Sequence, residues 1–390
     1  MKRLITIAIA LLPLIASGQV SKNVTVDSVG QLSRQIEDSV RYKISELKIS
    51  GPLNAADVKL LQQIVCRSKA NEKKGECVVT AVDLSEASFT EGKTAKPTTA
   101  LPSGLFSGAK QLLHVVLPDN TTSVSKNCFY GCAALGELTL PEGVTAIEGG
   151  AFSGCESLSA MEIPAGVTSI GSAAFKNCKS LKSIIIPESV SELGSDVFYG
   201  CKTLASVEIE GDVKKIGSSA FRNCENLSSV SLPKNLKSIG SDAFRECTSL
   251  GSIDLPESTS EIGNSAFEKC QSLTSVEMSK VSKVGSNAFE DCKSLTSAQF
   301  SQLSKLGSGV FKNCSSLSSV SVEGSLDEIS SNCFLGCISL SSVSLPSGVK
   351  VIGSSAFEKC QNLGEIDLPS SLTKIGSGAF EECVSLREIV

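Results

Sequence analysis

Residues 151–190 read AFSGCESLSAMEIPAGVTSIGSAAFKNCKSLKSIIIPESV, and the second half repeats the first. Phe152, Cys155, Leu158, Ile163, Pro164, Val167 and Ile170 recur as Phe175, Cys178, Leu181, Ile186, Pro187, Val190 and Leu193. Followed in both directions, the phenylalanine gives Phe106, Phe129, Phe152, Phe175, Phe198, Phe221, Phe244, Phe267, Phe289, Phe311, Phe334, Phe357 and Phe380, spaced by 23 residues apart from two steps of 22. A fixed period of this size predicts a solenoid. One unit is too small to bury its own apolar face, so neighbours must stack into a continuous core.

Within a unit such as Leu135–Leu158, the pattern L-x-x-L-x-L at Leu135, Leu138 and Leu140 reads as a strand with alternate side chains inward. A proline ends that strand in eight units (Pro118, Pro141, Pro164, Pro187, Pro233, Pro256, Pro346 and Pro369), where ladder pairing stops and no donor is needed. Val144 and Ile147 then turn the chain back. A Gly-Ser step, as at Gly171 and Ser172, leads to the A-F turn, with Ser as a helical-turn cap.

The chain has 16 cysteines, of which Cys132, Cys155, Cys178, Cys201, Cys224, Cys247, Cys270, Cys292, Cys314, Cys337, Cys360 and Cys383 each follow a repeat phenylalanine by three residues. Ala109 fills that place in the first unit, so the position calls for a small buried side chain and the column reads as thiols. Cys66 and Cys77 stand apart from the column. They flank the polar loop RSKANEKKGE and are the disulfide candidate in an oxidising compartment.

That compartment is suggested by the opening MKRLITIAIALLPLIASGQV, in which Lys2 and Arg3 precede an apolar run and small residues. This is the layout of a signal peptide over residues 1–18, and the run is short for a membrane span, so no transmembrane segment is expected in the mature chain. The formal charge of -5 makes nucleic acid an unfavourable partner, since phosphate binding draws on clustered positive charge.

Residues 19–100 lack the template but anticipate its helix-strand logic as an N-terminal cap. Val29, Leu32, Ile36 and Val40 fall at helical spacing with Asp27 or Ser28 as cap, and Glu46–Ser50 follows as a strand. Asn54 caps a second helix with Val58, Leu61 and either Ile64 or Val65 on one face, before a strand over Val78–Leu84. The two strands should extend the repeat sheet and cover its first edge. Residues 91–99, EGKTAKPTT, read as a short linker. The solenoid itself spans 101–390.

With these residues in hand, the motif I-G-x-x-A-F-x-x-C-x-S-L-x-x-I-x-L-P resembles the BspA-like, or treponemal-type, leucine-rich repeat over residues 101–390. Glu210, Ser279, Ser301 and Glu323 depart from it at the turn proline, and Cys128 and Cys333 at the alanine before phenylalanine. The resemblance implies an α/β fold: a curved right-handed leucine-rich repeat solenoid with a parallel sheet on its concave face and a helix-strand N-terminal cap. It also implies a secreted or surface-displayed, extracytoplasmic protein that adheres to extracellular or host proteins.

Candidate functional residues lie on the outward strand positions. Ser183, Ser206, Ser229, Ser252, Ser275, Ser297, Ser319 and Ser342 form one column; Glu162, Glu208, Asp254, Glu277 and Asp367 stand in the neighbouring one. This polar stripe suits a basic protein segment or, alternatively, a glycan. Asp254 and Glu277 occupy successive units, a separation that retaining glycosidases use, which makes a hydrolase the alternative of another class. The single histidine, His114, is read as a surface residue. No phosphate loop, nucleophile elbow or metal-ligand motif occurs, so no enzyme activity, cofactor or metal is expected. There is no Trp and only Tyr42, Tyr130 and Tyr199, so aromatic anchors are scarce and repeated display would have to supply avidity. At the C-terminal end, Leu386 and Ile389 start a strand that Val390 leaves unfinished, which predicts fraying or weak self-association.

Overall fold

The computed structural model describes residues 19–65, 78–91 and 96–389. The signal-peptide segment 1–18 and both Cys66 and Cys77 lie outside them. The chain forms stacked coils. Parallel strands run along two sides of the stack, and helices are confined to the N-terminal region among the described residues.

The first ladder is built from the outward-inward alternation of the repeat. Ser183–Ile186, Ser206–Ile209 and Ser229–Ser231 pair in parallel, with Ser183 opposite Ser206 and Ser206 opposite Ser229. Ser252–Ile253 pairs Ser275–Val276, and Ser297–Leu303, Ser319–Gly324 and Ser342–Ser344 form a further set. The expected single sheet is therefore interrupted. Where proline is absent, as at Ser301 and Glu323, the strands are longest, and Glu210 donates its backbone N–H to the Ile186 carbonyl at 2.9 Å. Proline could not make that bond, so the proline column trims the ladder elsewhere.

A second ladder runs where the sequence suggested only a turn back. Ser123–Val124, Ala146–Ile147, Ser169–Ile170 and Glu192–Leu193 pair in order, and Lys215–Ile216 through Lys305–Leu306 make a five-stranded set. From Ile170 to Leu306, glycine follows the hydrophobic residue of each of these strands because the coils meet there backbone to backbone. A Cβ on Gly240 would lie 2.8 Å from the Ser218 nitrogen, and one on Gly263 would lie 2.6 Å from the Ser241 nitrogen. No side chain fits that approach.

Between the ladders sits the core. Twelve consecutive phenylalanine pairs stack with ring centroids 5.1 to 5.6 Å apart, from Phe106–Phe129 to Phe357–Phe380. Each column cysteine donates its thiol to the carbonyl of the preceding unit's phenylalanine, as Cys224 does to Phe198 at 3.1 Å and Cys247 to Phe221 at 3.1 Å. All twelve column cysteines are thiols, and so are Cys128 and Cys333; every one is buried except the half-buried Cys383. Burial pushes thiols such as Cys155, Cys247 and Cys314 up, Cys155 to about 12.

The N-terminal region differs from expectation in three places. Strand β1 (Val20–Thr25) precedes the first helix and pairs with β2 (Ile44–Leu53). The first helix, α1 (Leu32–Gln35), is a single turn without a side-chain cap, in place of the longer one expected after Asp27 or Ser28. Its N-terminus is held from a distance: buried Asp57 accepts N–H bonds from Gly30 at 2.6 Å and Leu32 at 2.9 Å. Asn54 caps α2 (Ala55–Val65) as expected, accepting from Ala56 at 2.9 Å, while Asn54 itself donates to Asp57 at 3.0 Å. Strand β2 pairs β3 (Ala81–Asp83) with its first half and β4 (Ala87–Glu91) with its second. Strand β3 then pairs β6 (His114–Val116), which joins this region to the first repeat strand. The expected linker contains β5 (Lys96–Thr98), antiparallel to β4, so a hairpin returns there; Pro97 is tolerated at the sheet edge.

Candidate functional site

All eight serines of the strand column are exposed, as are Glu162, Glu208, Asp254, Glu277 and Asp367. They point outward because the residues between them point in: Ile184, Val207, Ile253, Val276 and Ala298 are each 7 % exposed or less. Register confirms the columns locally. Ser183, Ser206 and Ser229 stand opposite one another, and so do Ser297, Ser319 and Ser342.

What these hydroxyls do not do distinguishes them from the many other serines. One residue earlier in the units, Ser228 donates to the Ala205 carbonyl at 3.2 Å, Thr274 to Gly251 at 3.1 Å, Ser318 to Thr296 at 3.1 Å and Ser341 to Ser318 at 3.2 Å. A comparable row precedes the second ladder, where Thr145 donates to Thr122 at 3.1 Å and Ser304 to Ser282 at 3.0 Å. Those hydroxyls tie coil to coil. Among the described residues, the side chains of the eight candidate serines bond to no protein group. They are donors and acceptors presented to solvent.

The acids beside them share an open face. Glu277 accepts the backbone N–H of Ser279 at 3.1 Å, which orients it along the surface. Asp254 and Glu277 are both exposed, whereas acid catalysis draws on an enclosing pocket. Ile185 interrupts the row as an apolar residue, 55 % exposed. His114 stands in β6 at the cap end of the same face, where it and Val116 line a shallow depression of about 230 Å³ with Lys48 and Asp83. Lys48 bonds Glu86 at 2.6 Å, and that hydrogen bond with the nearby Asp83 charge raises its pKa. Among the described residues, no cluster of His, Cys, Asp and Glu is arranged to hold a metal, and no helix is long and apolar enough to cross a membrane.

Larger grooves lie along the second ladder, which the sequence reading passed over. One of about 520 Å³ follows Ile147–Gly194, and one of about 370 Å³ follows Lys215–Gly307. The available signal was the residue before each Ile-Gly or Val-Gly pair, which is lysine at Lys215 and Lys283.

A family model described as the BspA type leucine rich repeat region matches residues 99–228, 214–340 and 282–390. A leucine-rich repeat protein from Bacteroides ovatus has a similar structure, with TM-score 0.69 and 29% identity over 80% of this chain and 86% of that one. A leucine rich cell surface protein from Faecalibacterium prausnitzii is 27% identical with TM-score 0.47, covering 79% of this chain and 86% of its own. A leucine rich repeat protein of T. pallidum is 28% identical with TM-score 0.36, covering 47% and 78%. No curated protein sequence matches the chain.

Proposed function

The chain belongs to the BspA type leucine rich repeat family, and from that premise we propose that it is an extracytoplasmic binding or adhesion protein that takes protein ligands on its strand face. The observation that carries the reading is the column of eight exposed serine hydroxyls without partners among the described residues, running beside the acids Glu208, Asp254 and Glu277. Such a face fits an extended segment bearing lysine or arginine: its polar groups meet the hydroxyls and its cations meet the acid row. The residue layout of positions 1–18 supports export. The open face supports binding rather than turnover, since substrate cannot be surrounded there.

A panel of extracellular-matrix proteins, probed beside a glycan panel, tests the reading. Binding to matrix proteins that falls with salt, and falls about fivefold for each of Glu208→Lys and Glu277→Lys, is the expected result. Capture of glycans alone would move the ligand class to carbohydrate. Turnover of a glycoside that Asp254→Asn abolishes would replace binding with hydrolysis.

A further inference from the structure

The second ladder carries a charged groove that the strand-face function does not use. Between units, Gly240, Gly263 and Gly285 form the floor of a trough of about 370 Å³. Lys215, Lys283 and Lys305 stand exposed along it, with Lys283 directly opposite Lys305 in the ladder. The lining contains one acid, Glu261, which bridges to Lys283 at 2.7 Å, so three lysines against one glutamate leave two net positive charges. The same trough reverses sign upstream. Over Ile147–Gly194 its charged lining is Glu148 and Glu192, without a lysine.

Backbone donors add to the lysines. Among the described residues, the N–H groups of Ser218 and Ser241, both on the lining, meet no acceptor. Glycine leaves them uncovered, because a side chain on Gly240 or Gly263 would sit directly over these nitrogens. At the equivalent place in other units the chain supplies oxygen itself: Ser286 donates to the Asn264 amide oxygen at 2.9 Å, and Lys126 donates to a Glu148 carboxylate oxygen at 2.9 Å. An amide and a carboxylate oxygen thus both fit the position.

The lining selects among polyanions. It has hydroxyls, lysines, amide donors and no aromatic ring. Single-stranded nucleic acid is held by aromatic stacking as well as charge. A chain of hydroxyl-rich, anionic sugars needs no stacking partner, and its hydroxyls match the serine side chains of the lining. We propose that the trough over residues 215–307 binds an acidic polysaccharide, its carboxylate or sulfate groups resting against the Lys215, Lys283 and Lys305 ammonium groups and the Ser218 and Ser241 backbone N–H groups. This site is separate from the strand face and does not depend on its function.

The test is titration of the full mature chain with dextran sulfate and polygalacturonate, with neutral dextran, polyglutamate and a single-stranded polynucleotide alongside. Both acidic polysaccharides should bind with an affinity that falls with salt as counterions are released, and neutral dextran should not bind. Replacing all three lysines (K215Q, K283Q and K305Q) should weaken binding on the order of 100-fold, about fivefold for each exposed charge. Ser195→Asn and Ser218→Asn copy Asn264, which caps the equivalent N–H one unit on, and without changing charge they should together cost about tenfold by occupying the Ser218 and Ser241 backbone donors. Asp254→Asn on the strand face should leave polysaccharide binding unchanged, which separates this site from that one. Thermal melts matching the parent establish that the variants are folded. Polysaccharide binding unaffected by the lysine replacements overturns the proposal, as does absence of binding. Tighter lysine-dependent binding of polyglutamate or the polynucleotide overturns the ligand class.

Discussion

The buried thiol column should make this protein unusually sensitive to alkali. Eleven buried cysteines (Cys128, Cys155, Cys178, Cys224, Cys247, Cys270, Cys292, Cys314, Cys333, Cys337 and Cys360) are held protonated, chiefly because burial penalises the thiolate. Unfolding returns each to an ordinary value near 9.0. Below that pH both states are protonated and the thiols cost nothing. Above it the unfolded chain releases protons that the folded chain retains, so stability falls as pH rises. One pH unit above the unfolded value, each thiol shifts the balance by a little over 1 kcal/mol. Eleven together amount to on the order of 15 kcal/mol at about pH 10, comparable with the whole stability of an ordinary domain. Far-ultraviolet circular dichroism and thiolate absorbance, followed to equilibrium from neutral pH to about pH 11 under a phosphine reductant, should change together between about pH 9 and 10. Replacing Cys224, Cys247, Cys270 and Cys292 with alanine should flatten the loss of stability with pH by about a third. Thiolate absorbance that rises while the dichroism stays native would refute the reasoning, since the column would then ionise within the fold.

Three further predictions concern stability and covalent state. Asp57→Ala leaves three backbone N–H groups without their carboxylate and should cost about 3 to 5 kcal/mol, read by denaturant unfolding and by early proteolysis of the N-terminal region. Gly240→Ala forces a methyl group against the Ile216 and Ser218 backbone and should cost at least about 2 kcal/mol, whereas Gly251→Ala, with nothing within 4 Å of the added carbon, should be neutral or slightly stabilising. Equal urea midpoints for the two variants would show that glycine spacing does not govern coil contact. Alkylation of the denatured, unreduced mature protein should label fourteen of the 16 cysteines, leaving Cys66 and Cys77 bridged; sixteen labels would exclude the disulfide.

How far the sequence was legible depended on whether a residue's reason lies in its own unit or in the next. Phenylalanine and cysteine recur because every coil buries the same positions, so counting recovers the stack, and Ala109 in a cysteine place already indicated a buried small residue. The second ladder escaped because a strand such as Ser169–Ile170 shows one residue out and one in, too short for alternation to register. The glycine after it reads locally as a turn, yet its cause is the backbone of the preceding coil, a contact 22 or 23 residues away. Sequence distance also hid the real anchor of α1: Asp57 lies in another helix, 25 residues from Leu32, so cap residues sought beside Leu32 were the wrong ones. The strand face was predicted well in position, because outward residues follow from inward ones, but its serines could not be told from structural serines. Only the bond from Ser228 to Ala205, and the lack of one from its neighbour Ser229, separates a hydroxyl that holds the coil from one that can hold a ligand.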